Sequence, residues 1–306
     1  MRPSISGQAL RLFALSLVAI ALLASILLAA CQEEEVKEGE TPRVKVVASL
    51  AIFADFVRQV GGDRVDVSTL IPAGADPHTY DPPPGRVVRL TEADLVIANG
   101  LGLEAALEDV IEENTPSSTP IIELAQGLSA ITNDHQSANP HLWLDVQNAI
   151  AYVERIRDAL VETDPAGADV YRSNTDSYLA ELRTLDQEVA AAIDSIPSDR
   201  RKLVTFHDAF PYLAQRYGLE VVGVVVASPG KEPSAKDVAD LVEAIAVEDV
   251  PAVFKEPQFN ARILELAADD AGVEVCTLYS GALDKKVDTY VKLMRFNAKE
   301  LVRCLA

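Results

Sequence analysis

Residues 44–71 read VKVVASLAIFADFVRQVGGDRVDVSTLI. Val44–Ala48 is a short apolar run rich in valine and predicts a strand. Ile52–Val60 carries Phe53, Phe56 and Val57 on one face at helical spacing, and Val65–Ile71 is again rich in β-branched residues. Strand, helix and strand with little between them predict a parallel βαβ unit. The pattern continues outward with a strand over Asp94–Ala98, a helix from Leu103 and a short strand over Pro120–Leu124. It returns after residue 200, with strands over Lys202–Phe206, Leu219–Val226, Ala252–Phe254 and Glu274–Tyr279. Helices are expected there over Ala209–Tyr217, from Ser234 with Asp237 at capping-box spacing, over Ala261–Ala271 and over Val287–Cys304.

The middle of the chain is helical. Val146–Glu162 places Ile150, Val153, Ile156 and Leu160 on one face, with Asp145 as its N-cap. After Pro165 a second run, marked by Tyr171, Tyr178, Leu182, Leu185, Val189 and Ile193, extends to Ile196 before Pro197. Such a helix is about 45 Å long, enough to run the length of a two-domain molecule. A coiled-coil dimer seam is the rival reading, but its heptads are few. The part expected to fold, roughly 265 residues, suits two domains.

Residues 1–30 stand apart. Arg2 and Arg11 precede or open an apolar run, Leu12–Ala30, that ends in Leu28-Ala29-Ala30-Cys31. This reads as a secretory signal, with a plain membrane anchor as the rival. Leu-Ala-Ala-Cys resembles the bacterial lipobox, which implies lipidation at Cys31. Residues 31–43 continue as an acidic, polar tether that cannot bury enough surface to fold. Without Arg2 and Arg11 the 27 basic residues become 25 against 47 acidic ones, a formal charge of −22. That balance argues against nucleic acid and anionic membrane surfaces as partners. Beyond Cys31, Cys276 and Cys304 either pair in an oxidising compartment or remain as buried thiols.

The chain has four histidines, and three stand just beyond predicted strands. His78 lies in Gly74-Ala75-Asp76-Pro77-His78, His141 in Asn139-Pro140-His141-Leu142-Trp143, and His207 in Thr205-Phe206-His207-Asp208. Imidazole is the commonest protein metal ligand, and α/β sheets bind ligands beyond the carboxyl ends of their strands. Two ligands from one half and one from the other predict a metal site in a cleft between halves. Pro77, Pro140 and Pro82-Pro83-Pro84 are read as stiffening the loops. Asp76 is read as a turn residue, Trp143 as packing, Asp208 as the cap of the helix at Ala209, and His135 as a solvated loop residue.

Four motifs together resemble the zinc and manganese substrate-binding proteins of ABC transporters. They are Asp76-Pro77-His78-Thr79-Tyr80-Asp81-Pro82, Asn139-Pro140-His141-Leu142-Trp143-Leu144-Asp145, Phe206-His207-Asp208-Ala209-Phe210 and Glu232-Pro233-Ser234-Ala235-Lys236-Asp237. The resemblance covers about Val44 to Leu305. It implies two Rossmann-like α/β lobes, 44–164 and 198–306, each a mostly parallel sheet flanked by helices. One long rigid helix, 165–197, would join them. It further implies metal ligation by His78, His141 and His207, a permease partner, a monomer, and an extracytoplasmic site on the bacterial membrane. Histidine at 207, where manganese-type relatives often carry glutamate, points to zinc.

One departure stands out. The family's fourth ligand is commonly an aspartate in a Leu-Tyr-Ser-Asp turn, and here Leu278-Tyr279-Ser280 is followed by Gly281. A water, Asp284 or Glu256 are the candidates for that place. Water is favoured, with Glu256 as a hydrogen-bond acceptor behind the ligands. The segment 130–138 holds only His135, so a histidine-rich collecting loop is essentially absent. Metal capture without chemistry is the leading function, with Zn(II) as cargo and Mn(II) as the alternative. A zinc hydrolase lacks an HExxH motif or a nucleophile elbow, and a surface adhesin is a third reading.

Overall fold

Gly61 brings the first helix onto the first sheet: a Cβ there would lie 2.4 Å from Val65 Cγ1. Only glycine lets helix and strand approach this closely. The computed structural model describes residues 43–132, 137–226 and 234–306. The signal segment, Cys31, nearly all of the tether, His135 and Glu232 lie outside the described residues.

The first half runs β1 (Val44–Ala48), α1 (Ala51–Gly61), β2 (Val65–Thr69), α2 (Pro84–Thr91), β3 (Leu95–Ala98), α3 (Glu108–Asn114) and β4 (Ile121–Glu123). Its sheet has the order β2-β1-β3-β4, all parallel. Two helices follow, α4 (Val146–Thr163) and α5 (Ala168–Asp194). The second half runs β5 (Lys202–His207), α6 (Pro211–Tyr217), β6 (Glu220–Val226), α7 (Ala235–Val247), β7 (Ala252–Lys255), α8 (Arg262–Ala271), β8 (Glu274–Thr277) and α9 (Tyr290–Leu305). Its order, β6-β5-β7-β8, repeats that of the first sheet and is again all parallel. Each sheet therefore reverses its winding once, between β1 and β3 and between β5 and β7. Ligands bind at such reversals.

Helix α5 spans 27 residues, about 40 Å. Tyr171, Tyr178, Leu182, Leu185, Val189 and Ile193 are buried along it, and it packs against α1, α4 and α9. One continuous apolar core runs from Val44 through these side chains to Leu305. A smaller cluster, from Val204 and Phe206 to Ala268, lies in the second lobe. Each buried aliphatic side chain contributes roughly 2 kcal/mol, so the linking helix is itself core. Polar ties add to it. Asp186 of α5 accepts hydrogen bonds from Gln147 of α4 and from Arg216 and Tyr217 of α6. Asp55 of α1 accepts from the Tyr290 backbone N–H at the start of α9 at 2.8 Å.

Several boundaries differ from expectation. The helix expected from Leu103 forms only from Glu108. Gly100, Leu101 and Gly102 all have positive φ, at 78°, 53° and 74°. The buried Glu104 carboxylate takes the Asn99 and Gly100 N–H groups and the Ser49 hydroxyl, which holds a turn in place of a helical start. Pro84, read as part of a stiffened loop, instead opens α2 with proline in the first turn, where its missing N–H costs nothing. Helix α6 begins at Pro211 after Phe210, so Asp208 is not its cap. Helix α9 begins at Tyr290, capped by the Thr289 hydroxyl. Asp145 does cap α4, accepting from Gln147 N at 2.8 Å. Cys276 and Cys304 are joined in a disulfide that ties β8 to α9.

Candidate metal centre

His207 is the last residue of β5, at the reversal point of the second sheet. His141 follows Pro140 and opens a short 3-10 turn, Leu142–Leu144. His78 lies in the loop between β2 and α2, where the Asp76 carboxylate accepts from the His78 N–H and the Thr79 hydroxyl at 3.0 and 2.7 Å. Asp76 is thus a turn residue. The three imidazoles come together: one ring nitrogen from each lies within 4.8 Å of the others. Their centroids are 5.0 to 5.8 Å apart. Imidazoles sharing a tetrahedral zinc at Zn–N of about 2.0–2.1 Å have ring centres roughly 5 Å apart.

The rings are oriented from behind. His141 Nδ1 meets Asn139 Oδ1 at 2.9 Å. Asn139 Nδ2 in turn donates to the Asp208 carbonyl at 2.6 Å, so one amide spans from the first lobe's loop to the residue after His207. His207 Nδ1 meets the Glu256 carboxylate, and both side chains are almost wholly buried. With Nδ1–H donated on each ring, both Nε2 atoms present lone pairs. Those two Nε2 atoms are 3.2 Å apart. Lone pairs facing each other in this way repel, whereas a tetrahedral cation places two nitrogens roughly 3.3 Å apart. His78 Nε2 is buried without a hydrogen-bond partner among the described residues, as a ligand nitrogen awaiting a cation is.

Burial disfavours the imidazolium forms. It lowers His141 well below the ordinary histidine value, helped by its neighbours His207 and His78. His78 is lowered from 6.5 to about 4, by burial first and then by His207. Rings kept neutral are ready to bind metal.

The cavity wall includes Trp143, Gln258, Phe259, Ser280 and Gly281. Trp143 Nε1 donates to the Ser280 carbonyl at 2.6 Å, and its ring meets His141 edge-on at 5.4 Å. It is packing, as expected, and also wall. A Cβ at Gly281 would lie 3.2 Å from Trp143 Cζ2, so the indole crowds the point from which an aspartate would grow. Asp284 does not reach back. Its carboxylate accepts from the Tyr279 hydroxyl and from the Lys286 and Val287 N–H groups. Glu256 uses one oxygen on His207 and the other on Gln258 Nε2 at 3.2 Å. Sequence reasoning quoted Asn139 without assigning it work and did not single out Gln258. Another group of metal-ligand type, Glu274, Cys276 and Cys304, is consumed by the disulfide.

The family model described as zinc-uptake complex component A, periplasmic, matches residues 46–304. This chain belongs to that family. It is the metal-binding component of an ABC transporter, in a family of substrate-binding proteins of metal transport rather than of enzymes. It is 32% identical over 284 residues to the manganese-binding lipoprotein MntA of Halalkalibacterium halodurans, covering 91% of this chain and 94% of that one. It is 27% identical over 290 residues to the iron ABC transporter substrate-binding lipoprotein MtsA of Streptococcus pyogenes serotype M1, covering 90% and 94%. The periplasmic zinc-binding protein TroA of Treponema pallidum superposes with a TM-score of 0.82 at 28% identity, over 86% of this chain and 99% of that one. TroA shares the fold of two parallel sheets and a long helix between lobes, and the names of the three relatives carry three different metals. Among the described residues, no helix is long and apolar enough to cross a membrane.

Proposed function

We propose that this protein captures Zn(II) outside the cytoplasmic membrane, holds it on His78, His141 and His207, and delivers it to an ABC permease, anchored by a lipid on Cys31. The observation that carries the reading is the pair of Nε2 atoms 3.2 Å apart, with both Nδ1 atoms engaged elsewhere. Three imidazoles, with no carboxylate among the described residues that line the cavity, form a nitrogen-rich donor set, which suits zinc better than manganese. Mn(II) is the second reading, favoured by the 32% identical relative named for manganese. A hydrolase would need a free general base, and both oxygens of Glu256 are already engaged.

Metal content and competition, measured on the wild-type protein beside a His78→Ala, His141→Ala, His207→Ala variant, test this. One zinc per chain, lost in the variant and not displaced by excess manganese, is expected. Manganese retained against zinc would move the assignment to manganese. Metal in neither protein would leave only the fold in common with the family.

A further inference from the structure

Gln258 lies in the turn after β7 and lines the cavity with the three histidines. Its amide nitrogen donates to Glu256 Oε1 at 3.2 Å and to Ser280 Oγ at 3.0 Å. The Glu256 carboxylate can only accept, so the amide is fixed nitrogen-toward-Glu256 and cannot be flipped without loss. Its other end, Oε1, is buried with no hydrogen-bond partner among the described residues. A buried carbonyl oxygen left in this way costs about 1–3 kcal/mol, so a partner is expected. At this cavity two buried polar atoms share that condition, His78 Nε2 and Gln258 Oε1. The first is accounted for by the metal.

The second belongs to a residue lining the same cavity as three ligands that leave a cation's coordination incomplete. Three imidazoles leave a fourth position open on a tetrahedral zinc. Gly281 has no side chain to fill it, Asp284 is engaged by its own turn, and Glu256 is spent on His207 and Gln258. A metal-bound water is a strong hydrogen-bond donor, because the cation draws density from its O–H bonds. Resting on the zinc-capture reading above, we propose that Gln258 Oε1 accepts the hydrogen bond of the water that completes the metal's coordination. Gln258 is thus a positioning residue that takes over the place of the carboxylate absent at Gly281. The chain of contacts His207–Glu256–Gln258–Ser280–Trp143 then links two ligand-bearing segments around one wall, with the water held from its middle.

The test uses Gln258→Leu and the longer, unbranched Gln258→Met, each beside the triple histidine variant. Zinc affinity is read by chelator competition, the site by the d–d bands of Co(II)-loaded protein, and the ligand count by zinc X-ray absorption. Both Gln258 variants are expected to bind one zinc about tenfold more weakly, the scale seen for partners lying behind a metal's ligands. Their cobalt bands should shift at full occupancy, with three nitrogens and one oxygen still around zinc. Wild-type affinity and unchanged cobalt bands, even with a lowered Tm, would overturn the proposal in favour of a purely structural glutamine. Loss of the oxygen scatterer would overturn it in favour of direct ligation by the amide. Retention of zinc by the triple histidine variant would instead remove the reading on which it rests.

Discussion

His141 and His207 come from opposite lobes, yet their Nε2 atoms stand 3.2 Å apart, one ring backed by a neutral amide oxygen and the other by a carboxylate. A carboxylate behind an imidazole raises its basicity more than an amide does. Glu256→Gln should therefore weaken zinc binding by about tenfold, chiefly through His207. Asn139→Ala should also weaken it, and should in addition lower the Tm, because the amide's bond to the Asp208 carbonyl is lost. Calorimetric zinc titration and melting curves on the two variants check the difference; equal behaviour would mean that the two backing groups are interchangeable.

Acidity acts first on the metal-free protein. His78 accepts a proton near 6.5 when unfolded and only at about 4 in the fold, because burial disfavours its charged form. Between those values the unfolded chain holds more protons, so stability falls as pH drops from 6.5 towards 4 and is regained above 6.5. The loss from this group is on the order of 2 kcal/mol. Denaturant melts at pH 7 and pH 5 should show it without metal; saturating zinc should raise stability at both values without removing the fall, because a bound cation keeps the ring unprotonated in the fold. A metal-free protein equally stable at both values would contradict the assignment.

Restoring the family's aspartate carries a steric cost. In Gly281→Asp the new Cβ meets Trp143 Cζ2 at 3.2 Å, so the indole must give by a few tenths of an ångström. A Tm several degrees lower is expected without metal, since roughly 1 kcal/mol moves Tm by about 2–4 °C in a chain of this size. The added carboxylate oxygen should also raise manganese affinity relative to zinc. Competition titrations read that ratio; an unchanged ratio would show that position 281 does not face the metal.

The Asp186 cluster should matter to the fold and not to the cargo. Burial alone would raise this carboxyl, but its bonds to Arg216, Tyr217 and Gln147 hold it below the usual carboxylate range. Asp186→Ala leaves Tyr217 and Gln147 without their acceptor and Arg216, partly exposed, with Asp145 at 3.5 Å as its remaining carboxylate partner among the described residues, and should cost about 1–2 kcal/mol. At temperatures well below the melt, zinc affinity should stay within about twofold of wild type, by the additivity of distant sites.

Removing the Cys276–Cys304 bridge frees a 28-residue separation. Cys276→Ser with Cys304→Ser should cost about 3 kcal/mol on loop entropy, read by denaturant melts beside the oxidised wild type.

Much of this was legible in the chain. The strand-then-histidine order at Lys202–His207 and the proline-led His141 segment set two histidines just beyond predicted strands before any coordinates, because short apolar runs and proline act locally. The parallel sheets followed from the same local patterns. The helix at Pro84 was hidden because three consecutive prolines read as a stiffened loop, while only the third enters the first turn. The turn before α3 was hidden because its cause is long-range: Glu104 bonds Ser49, 55 residues away. Gln258 was invisible for the same reason. Its meaning depends on Glu256, Ser280 and Gly281 converging on one cavity, and no spacing in the sequence announces that.

His78 differs from its two companions in one respect. His141 and His207 are buried in the core, whereas His78 is half-buried on a loop between β2 and α2. The core is continuous across both lobes, and Asp55, Asp186 and Asn139 tie its parts together. Wide jaw-like opening would have to break all of these at once, whereas moving the His78 loop breaks few. The packing therefore favours His78 as the first of the three to part from a bound cation, with its loop rather than a whole lobe as the moving element.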